Sequence, residues 1–127
     1  SLLSDLIYKG VVPVMAPLTH DGEGNMLNTN ADTIAGETAK ALAQFFDVTL
    51  VFCFEKKGVL RDENDDVSVI PQITPAEFNQ YVADGIIQGG MIPKLENSFE
   101  AINAGVSEVV ITLASAINGD SGTRIKK

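Results

Sequence analysis

Thr49–Gly58, with the sequence TLVFCFEKKG, is the segment most indicative of the fold class. It begins with residues that are β-branched, aromatic or otherwise apolar, which predicts a strand over Thr49–Phe54. Charged residues follow at once, and Gly58 permits a sharp turn at the point where the strand ends. We therefore expect a central strand that opens into a polar turn, where α/β proteins place their binding sites.

Three further strands are predicted outward from this stretch. Val11–Pro17 is apolar throughout and Val109–Leu113 is nearly so, and unbroken apolar runs are typical of parallel strands that are covered on both faces. A turn over Asn118–Gly122 leads into a short final strand at Thr123–Ile125.

Helical patterns separate these strands. Asn30 is a typical N-cap, Thr74 begins a capping box, and the glycine pair Gly89–Gly90 opens a third helix. In the first of these helices, the spacing places Ile34, Thr38, Leu42 and Phe45 on one face. The alternation of strands and helices predicts an α/β fold, a three-layer αβα sandwich with a mainly parallel sheet.

Length and charge limit the classes of partner. The chain has 127 residues, of which 45% are hydrophobic and 20% charged, so residues 1–127 are expected to form a single domain. It carries 9 basic and 17 acidic residues, a net charge of −8. Such a surface repels nucleic acid and anionic lipid, so we expect neither as a partner.

The cysteine count and the first residues bear on compartment and metal. Cys53 is the single cysteine of the chain and lies within an apolar strand, so we expect it to be buried and no metal site to form. The segment Ser1–Asp5 lacks the basic start of a signal peptide, and no apolar run reaches the roughly 20 residues that span a membrane. The expected location is cytoplasmic.

Polar residues fall at three places where an α/β sheet binds ligands, beyond strand ends and beside helix starts. Asn28 and Asp32 flank one helix start, and Glu55–Gly58 follows the central strand. Gly89–Gly90 precedes a helix whose first turn carries Lys94. A glycine pair, backbone N–H groups and a lysine together predict a cradle for an anion such as phosphate.

Each of these residues also has a plainer interpretation, which the spacing leaves open. Lys94 is equally typical of a helix surface, and Asn28 of a turn. Asp32 suits the positive end of a helix dipole. Lys56 and Lys57 are typical of a solvated turn.

Two other polar groups are expected to carry no chemistry. The acidic run Asp62–Asp66 lacks the spacing of a calcium loop and predicts a solvated hairpin tip. His20, the one histidine, lies in a turn by composition.

Long motifs add a family resemblance. Asn28–Asp32 reads NTNAD and resembles the N-x-N-A-D motif of acetylglutamate kinases. Asp84–Lys94 reads DGIIQGGMIPK and resembles that family's D-G-x-I-x-G-G-M-I-P-K, and Gly122–Ile125 resembles its C-terminal G-T-x-I. The likeness covers nearly the whole chain, but those enzymes are roughly twice as long. The chain resembles their C-terminal, nucleotide-binding lobe, and we expect the N-terminal substrate lobe to be absent from it.

The resemblance implies a kinase of arginine biosynthesis. It transfers the γ-phosphoryl group of ATP, which arrives with Mg²⁺, to the side-chain carboxylate of an N-acyl-L-glutamate, most simply N-acetylglutamate, to give an acyl phosphate. Lys94 matches the lysine that stabilises the moving phosphoryl group, and Asp32 the aspartate that organises the catalytic lysines. Asn28 matches the asparagine that holds the acylglutamate. The nucleotide-binding positions carried over are Glu55, Lys56, Lys57, Gly58, Val59, Leu60, Ile86, Ile87 and Gln88.

The resemblance also sets expectations for partners and alternatives. ATP or ADP is expected to bind, N-acylglutamate to bind together with the other lobe, and a homo-oligomer is compatible with the family. The isolated chain is expected to be inactive, because half of the catalytic charge is missing. The alternatives are another kinase of the same fold, such as a glutamate 5-kinase, and a non-catalytic nucleotide-binding or interaction module.

The chain departs from the family pattern in two places. The family has T/S-D-V before its glycine turn, whereas this chain has Phe54, Glu55 and Lys56. The segment Ala114–Ser121 is too short for the helix that the family places between its last two strands.

Overall fold

The computed structural model of the chain describes residues 1–117 and 121–127. Its strands are β1 (Leu18–His20), β2 (Met26–Asn28), β3 (Thr49–Phe54), β4 (Gln72–Ile73), β5 (Glu108–Leu113) and β6 (Thr123–Ile125). Its helices are α1 (Leu2–Tyr8), α2 (Ala31–Leu42), α3 (Pro75–Ala83) and α4 (Met91–Asn103), with one 3₁₀ turn at Ala114–Ala116. In these residues, no helix has the length and apolar character needed to cross a bilayer.

Two sheets are present in the described residues. β1 and β2 form an antiparallel hairpin, and the other four strands form a sheet in the order β3-β5-β6-β4. β3 is parallel to β5 and β4 is parallel to β6, whereas β5 and β6 are antiparallel. The predicted α/β class and mainly parallel sheet are confirmed. The expectation that Thr49–Phe54 is central is wrong, because β3 lies at the edge of its sheet and β5 lies inside it.

The predicted helix starts are confirmed. The side chain of Asn30 accepts hydrogen bonds from the N–H groups of Asp32 (2.8 Å) and Thr33 (3.3 Å) and so caps α2. Thr74 caps α3 by accepting from the N–H of Glu77. α4 begins after Gly90, without a side-chain cap.

The main core lies between the four-stranded sheet and helices α2 and α4. Phe52 of β3 and Ile111 of β5 share one face of the sheet in register and are 4% and 0% exposed. Leu95 of α4 and Ala39 of α2 pack into the same cluster. Each of these helices precedes the strand it contacts, so both begin at the carboxyl edge of β3 and β5.

The prediction of a buried strand at Val11–Pro17 is wrong. Residues 11–16 have no regular secondary structure, and Val12 and Val14 are 82% and 94% exposed. Pro13 and Pro17 lack the N–H groups that a ladder needs, so an apolar run alone does not make this segment a strand here. An ordered strand begins only at Leu18.

The prediction that Cys53 is buried is also wrong. Cys53 is exposed, because side chains alternate along an edge strand and Cys53 points away from the face that the helices cover.

The residues that α2 buries are small. They are Gly36 and Ala39, and small residues at the contact let α2 approach its neighbours closely. Ile34, Thr38 and Leu42, predicted to share one face, line one open groove. Phe45 lies beyond the end of the helix and is 48% exposed.

The predicted turns are confirmed where they are described. Asp21 accepts hydrogen bonds from the Asn25 side chain and from the N–H groups of Glu23 and Asn25, which lowers the pKa of Asp21. His20 accepts a hydrogen bond from Gly22 within this turn. The run 62–66 is exposed, as expected. In the predicted turn before β6, residues 118–120 lie outside the described residues.

A buried threonine joins β6 to the turn that follows β3. Thr123 Oγ1 accepts a hydrogen bond from the N–H of Val59 (2.8 Å) and donates one to the carbonyl of Ile70 (2.7 Å). A Cβ atom on Gly58 would lie 2.7 Å from that same oxygen. Glycine is therefore required for close approach, and the turn is held against the sheet by one hydroxyl group.

Replacement of this hydroxyl is expected to destabilise the chain. Thr123→Val keeps the shape but leaves the buried N–H of Val59 and the carbonyl of Ile70 without a partner, so the free energy of unfolding should fall by about 1–3 kcal/mol. Urea denaturation measures it. Thr49→Val, at an exposed position of β3, is the control and should change stability by less than about 0.5 kcal/mol. Equal effects of the two substitutions would show that the hydroxyl does not hold the turn.

Candidate functional site

Two predicted site residues meet in the structure although 62 positions separate them. Lys94 Nζ donates a hydrogen bond to Asp32 Oδ2 at 2.6 Å. Lys94 lies in the first turn of α4 and Asp32 in the first turn of α2. Their side chains are 17% and 37% exposed, so the pair is partly withdrawn from water yet open on one side. Charge-assisted hydrogen bonds of this kind are about twice as strong as neutral ones.

An aromatic ring completes the surroundings of the lysine. Lys94 Nζ lies 4.7 Å from the centroid of the Phe52 ring, within the range of a cation–π contact. The ammonium group thus has a carboxylate on one side and a ring face on another, and the Lys94 side chain remains 17% exposed.

The start of α4 has no capping side chain, and the N–H groups of Met91 and Ile92 donate to the backbone carbonyls of Gln88 and Gly89. Gly89 has a φ of +59°, a left-handed conformation that favours glycine, and Gly90 provides no side chain to cap the helix. The partial positive charge at this helix start is therefore not balanced by a capping side chain. An anion at this place meets both the dipole and the Lys94 ammonium.

A cleft of about 410 Å³ opens next to the same helix turn. Met91, in the same helix turn as Lys94, lies on its wall. The other lining residues are Phe54, Glu55, Lys56, Gly58, Leu60, Glu63 and Asn64. The turn after β3 and the start of α4 therefore share one concave surface.

Sequence analysis missed Glu63 and Asn64. Both lie in the acidic run 62–66, which was interpreted as a solvated tip and is indeed exposed. An isolated bridge between Leu60 and Val69 folds this segment back on itself, and one side of it reaches the cleft. The local sequence contains no signal for this, because the bridge joins residues across the loop.

The structure gives the nine expected nucleotide-binding residues different surroundings. Glu55, Lys56, Gly58 and Leu60 line the cleft. Leu60, Val59 and Ile87 are 8%, 3% and 1% exposed, so the last two offer a ligand little beyond their backbone. Lys57 and Gln88 are exposed and Ile86 is half-buried.

Asn28 lies on the hairpin rather than on a helix. It ends β2, pairs with Leu18 across the hairpin, and comes two residues before the cap Asn30. Its side chain is exposed. Asn28 is therefore an exposed strand residue that precedes the N-cap of α2 by two positions.

Another lysine on α2 has a different role. Lys40 Nζ lies 2.7 Å from Glu37 Oε1 and 3.8 Å from Glu100 Oε2. The hydrogen bond that Lys40 donates to Glu37 raises the pKa of Lys40 above its usual value, so surface carboxylates balance this cation. In residues 1–117 and 121–127, no three His, Cys, Asp or Glu side chains converge in a way that could hold a metal ion.

Comparison of the sequence with known proteins identifies its relatives. The sequence profile of the amino acid kinase family matches residues 1–113. An acetylglutamate kinase of Bacteroides thetaiotaomicron is 87% identical over 127 residues, which is 100% of this chain and 49% of that protein. The chain spans about half the length of the curated relatives it matches. The resemblance to acetylglutamate kinases is confirmed.

Comparison of the structure with solved proteins agrees. A crystal structure from Streptococcus mutans UA159 matches with a TM-score of 0.78 and 33% identity, over 98% of this chain and 46% of that one. A carbamate kinase from Giardia matches with a TM-score of 0.71 and 21% identity, over 99% of this chain and 46% of that one. These matches support the predicted amino-acid-kinase type of sandwich.

The contact between Lys94 and Asp32 is expected to contribute to stability. A double-mutant cycle with Asp32→Asn and Lys94→Met should give a coupling energy of about 0.5–1 kcal/mol, because the pair is only partly exposed and in close contact. Chemical denaturation of the four proteins measures it. The same cycle on Glu37 and Lys40, a surface pair on one helix, should give about 0.3 kcal/mol. Strictly additive effects at 32 and 94 would contradict the contact.

Proposed function

The chain belongs to the amino acid kinase family, and from this premise we propose that it supplies the nucleotide-binding half of an acetylglutamate kinase. The enzyme phosphorylates the side-chain carboxylate of an N-acyl-L-glutamate, with N-acetylglutamate as the first candidate, and serves arginine biosynthesis. One observation carries the proposal: Lys94, whose ammonium lies 2.6 Å from Asp32, belongs to the same helix turn as Met91, which lines the cleft.

Phosphoryl transfer requires the protein to stabilise charge, and it does not require the protein to form a covalent bond with the substrate. A carboxylate oxygen of the acceptor attacks the γ-phosphorus of ATP, and a new O–P bond forms. The bond between that phosphorus and the β,γ-bridging oxygen breaks, and ADP leaves with the electron pair. Negative charge spreads over the oxygens of the moving group. Lys94 neutralises this charge, and Asp32 holds Lys94 in the position from which it does so.

The cleft suits a nucleotide that carries Mg²⁺. Lys56 and the backbone of the Gly58 turn offer positive partners for phosphate, and Leu60 and Met91 offer apolar surface for a base. Glu55 and Glu63 are carboxylates on the same wall. They would repel a bare triphosphate, whereas Mg²⁺ bound to ATP offsets this repulsion and accepts oxygen ligands. MgATP is therefore the form of the substrate we propose.

The acceptor half of the reaction needs more than this chain. We propose that Asn28, exposed beside the start of α2, contacts the acylglutamate, and that a second lobe provides the remaining contacts and the other catalytic cations. The chain alone then binds ATP and ADP without turnover. The enzyme draws on the ATP of the cytoplasm, which is the location we propose.

Nucleotide binding should be measurable on the chain itself. ADP with Mg²⁺ at a hundred times its Kd is expected to stabilise the folded chain by about 2.7 kcal/mol, because only the folded state binds it. A thermal melt with and without MgADP measures the rise in Tm. Lys56→Ala, on the cleft wall, should reduce the rise, and Lys9→Ala, at the end of α1, should not. No rise at millimolar MgADP would count against a nucleotide site.

The role of Lys94 is tested in the complete enzyme that contains this chain. Lys94→Met should lower kcat by about 100-fold or more while the KM for ATP changes little, because the ammonium acts on charge that develops in the transition state. Lys40→Met, which removes a surface cation, is the control. An unchanged kcat in Lys94→Met removes this residue from the mechanism.

The acceptor is identified by the same assay. N-acetylglutamate, N-succinylglutamate and free L-glutamate are compared as substrates. Preference for free glutamate would replace the proposal by a glutamate 5-kinase, and nucleotide binding without transfer to any acceptor would leave a non-catalytic module.

A further inference from the structure

We propose that Phe52 is a positioning residue for Lys94, and that its ring face holds the ammonium where the transferred phosphoryl group passes. This inference rests on the proposed function and deepens it. It assigns a role to a residue that the sequence presents only as part of an apolar strand.

The distance between Lys94 and Phe52 and the burial of both side chains are those of an energetically significant cation–π contact. Lys94 Nζ lies 4.7 Å from the ring centroid, inside the limit of about 6 Å for such contacts. The contact is strongest where water is excluded. Phe52 is 4% exposed and Lys94 is 17% exposed, so little water competes for the ammonium on the side of the ring.

The carboxylate of Asp32 does not fix the ammonium by itself. A lysine side chain has a flexible four-carbon stem, and Asp32 is 37% exposed, so one hydrogen bond leaves the ammonium free to move around the carboxylate. The ring adds a second point of contact from another element. Asp32 of α2 and Phe52 of β3 therefore restrict the ammonium from two sides.

The backbone on both sides of the contact is held firmly. The hydroxyl of Ser98, which is 0% exposed, donates a hydrogen bond to the carbonyl of Lys94 at 2.8 Å. Phe52 lies opposite Ile111 in the parallel ladder of β3 and β5. Because ring and lysine both come from anchored elements, the contact is built into the fold.

Phe52 also links the lysine to the cleft. It comes two residues before Phe54, which lines the cleft, and both side chains lie on the same face of β3. Two residues along a strand span roughly 7 Å. The ring that contacts the ammonium and a ring that lines the cleft thus come from neighbouring positions on one face of the same strand. A leucine in this place would fill most of the space but has no π face to hold a cation.

The contact itself is tested first, by NMR of the complete enzyme with labelled lysine. Protons at the end of the Lys94 side chain should resonate upfield of the ordinary lysine position, because they lie over the ring. The Lys94→Met variant identifies the signal by its loss. In Phe52→Leu the signal should return to the ordinary position. An ordinary lysine signal in the unaltered enzyme overturns the proposal.

The role is tested next, by kinetics. Phe52→Leu should lower kcat by about fivefold, equivalent to about 1 kcal/mol of transition-state stabilisation, with the KM for ATP changed less than about twofold. Phe99→Leu is the matched control, because Phe99 lies on α4 but its ring contacts that of Phe78, tilted at 51°, instead. Equal losses in the two variants show a merely structural role and overturn the proposal.

Graded fluorination of the Phe52 ring separates packing from electrostatics. Each added fluorine weakens the negative face of the ring with little change of shape, so kcat should fall stepwise with fluorine number. A kcat that does not change along this series overturns the proposal. If the enzyme phosphorylates no N-acylglutamate, the proposed function fails and so does the kinetic role. The NMR signal still reports separately whether ring and lysine touch.

Discussion

A lysine and an aspartate that are 62 residues apart meet at 2.6 Å because α2 and α4 begin at the same edge of one sheet. That arrangement follows from burial. Phe52, Ile111 and Leu95 exclude water between the sheet and α4, and Ala39 brings α2 close beside them. Once these contacts form, the position of the first turn of α2 relative to the first turn of α4 is fixed. The core thereby determines the geometry of the site.

The turn after β3 shows a second dependence of the site on distant residues. Its backbone lies against Thr123, whose hydroxyl serves both Val59 and Ile70. Gly58 is needed because any side chain there would strike that hydroxyl group. Gly122 has a φ of +103°, and a Cβ there would lie 2.6 Å from the carbonyl oxygen of Ile111. The glycine of the Gly122–Ile125 motif is thus required because of its close approach to Ile111, which lies outside the motif.

The net negative charge of the chain and the carboxylates of the cleft both oppose the binding of a polyphosphate. The chain carries a net −8, and Glu55 and Glu63 face the cleft. A polyphosphate is held there only if nearby cations outweigh these carboxylates. Lys94 and the start of α4 provide positive potential from one helix, Lys56 provides it from the turn after β3, and the proposed Mg²⁺ adds to it. Because Lys94 packs against the buried ring of Phe52, its ammonium is held at the site and does not extend into solvent.

Local sequence predicted the elements and their starts well. The caps at Asn30 and Thr74, the helix after Gly89–Gly90 and the strand at Thr49–Phe54 all depend on neighbours within a few residues, and the structure bears them out. Burial was predicted less well. Val11–Pro17 and Cys53 were expected inside and lie outside, because whether an apolar residue is covered depends on which other element reaches it.

The same distinction between features set by neighbouring residues and features set by distant elements applies to the candidate site. By itself the sequence determined where chemistry-bearing residues stand along the chain: Lys94 after a glycine pair, Asp32 after a cap, and a polar turn after a strand. Only the tertiary structure decided which of them touch, that Phe52 lies under the ammonium, and that Glu63 and Asn64 reach the cleft. The reason is physical. Caps and turns are satisfied by backbone groups close by in the chain, whereas a site is formed by side chains from separate elements that the core brings together.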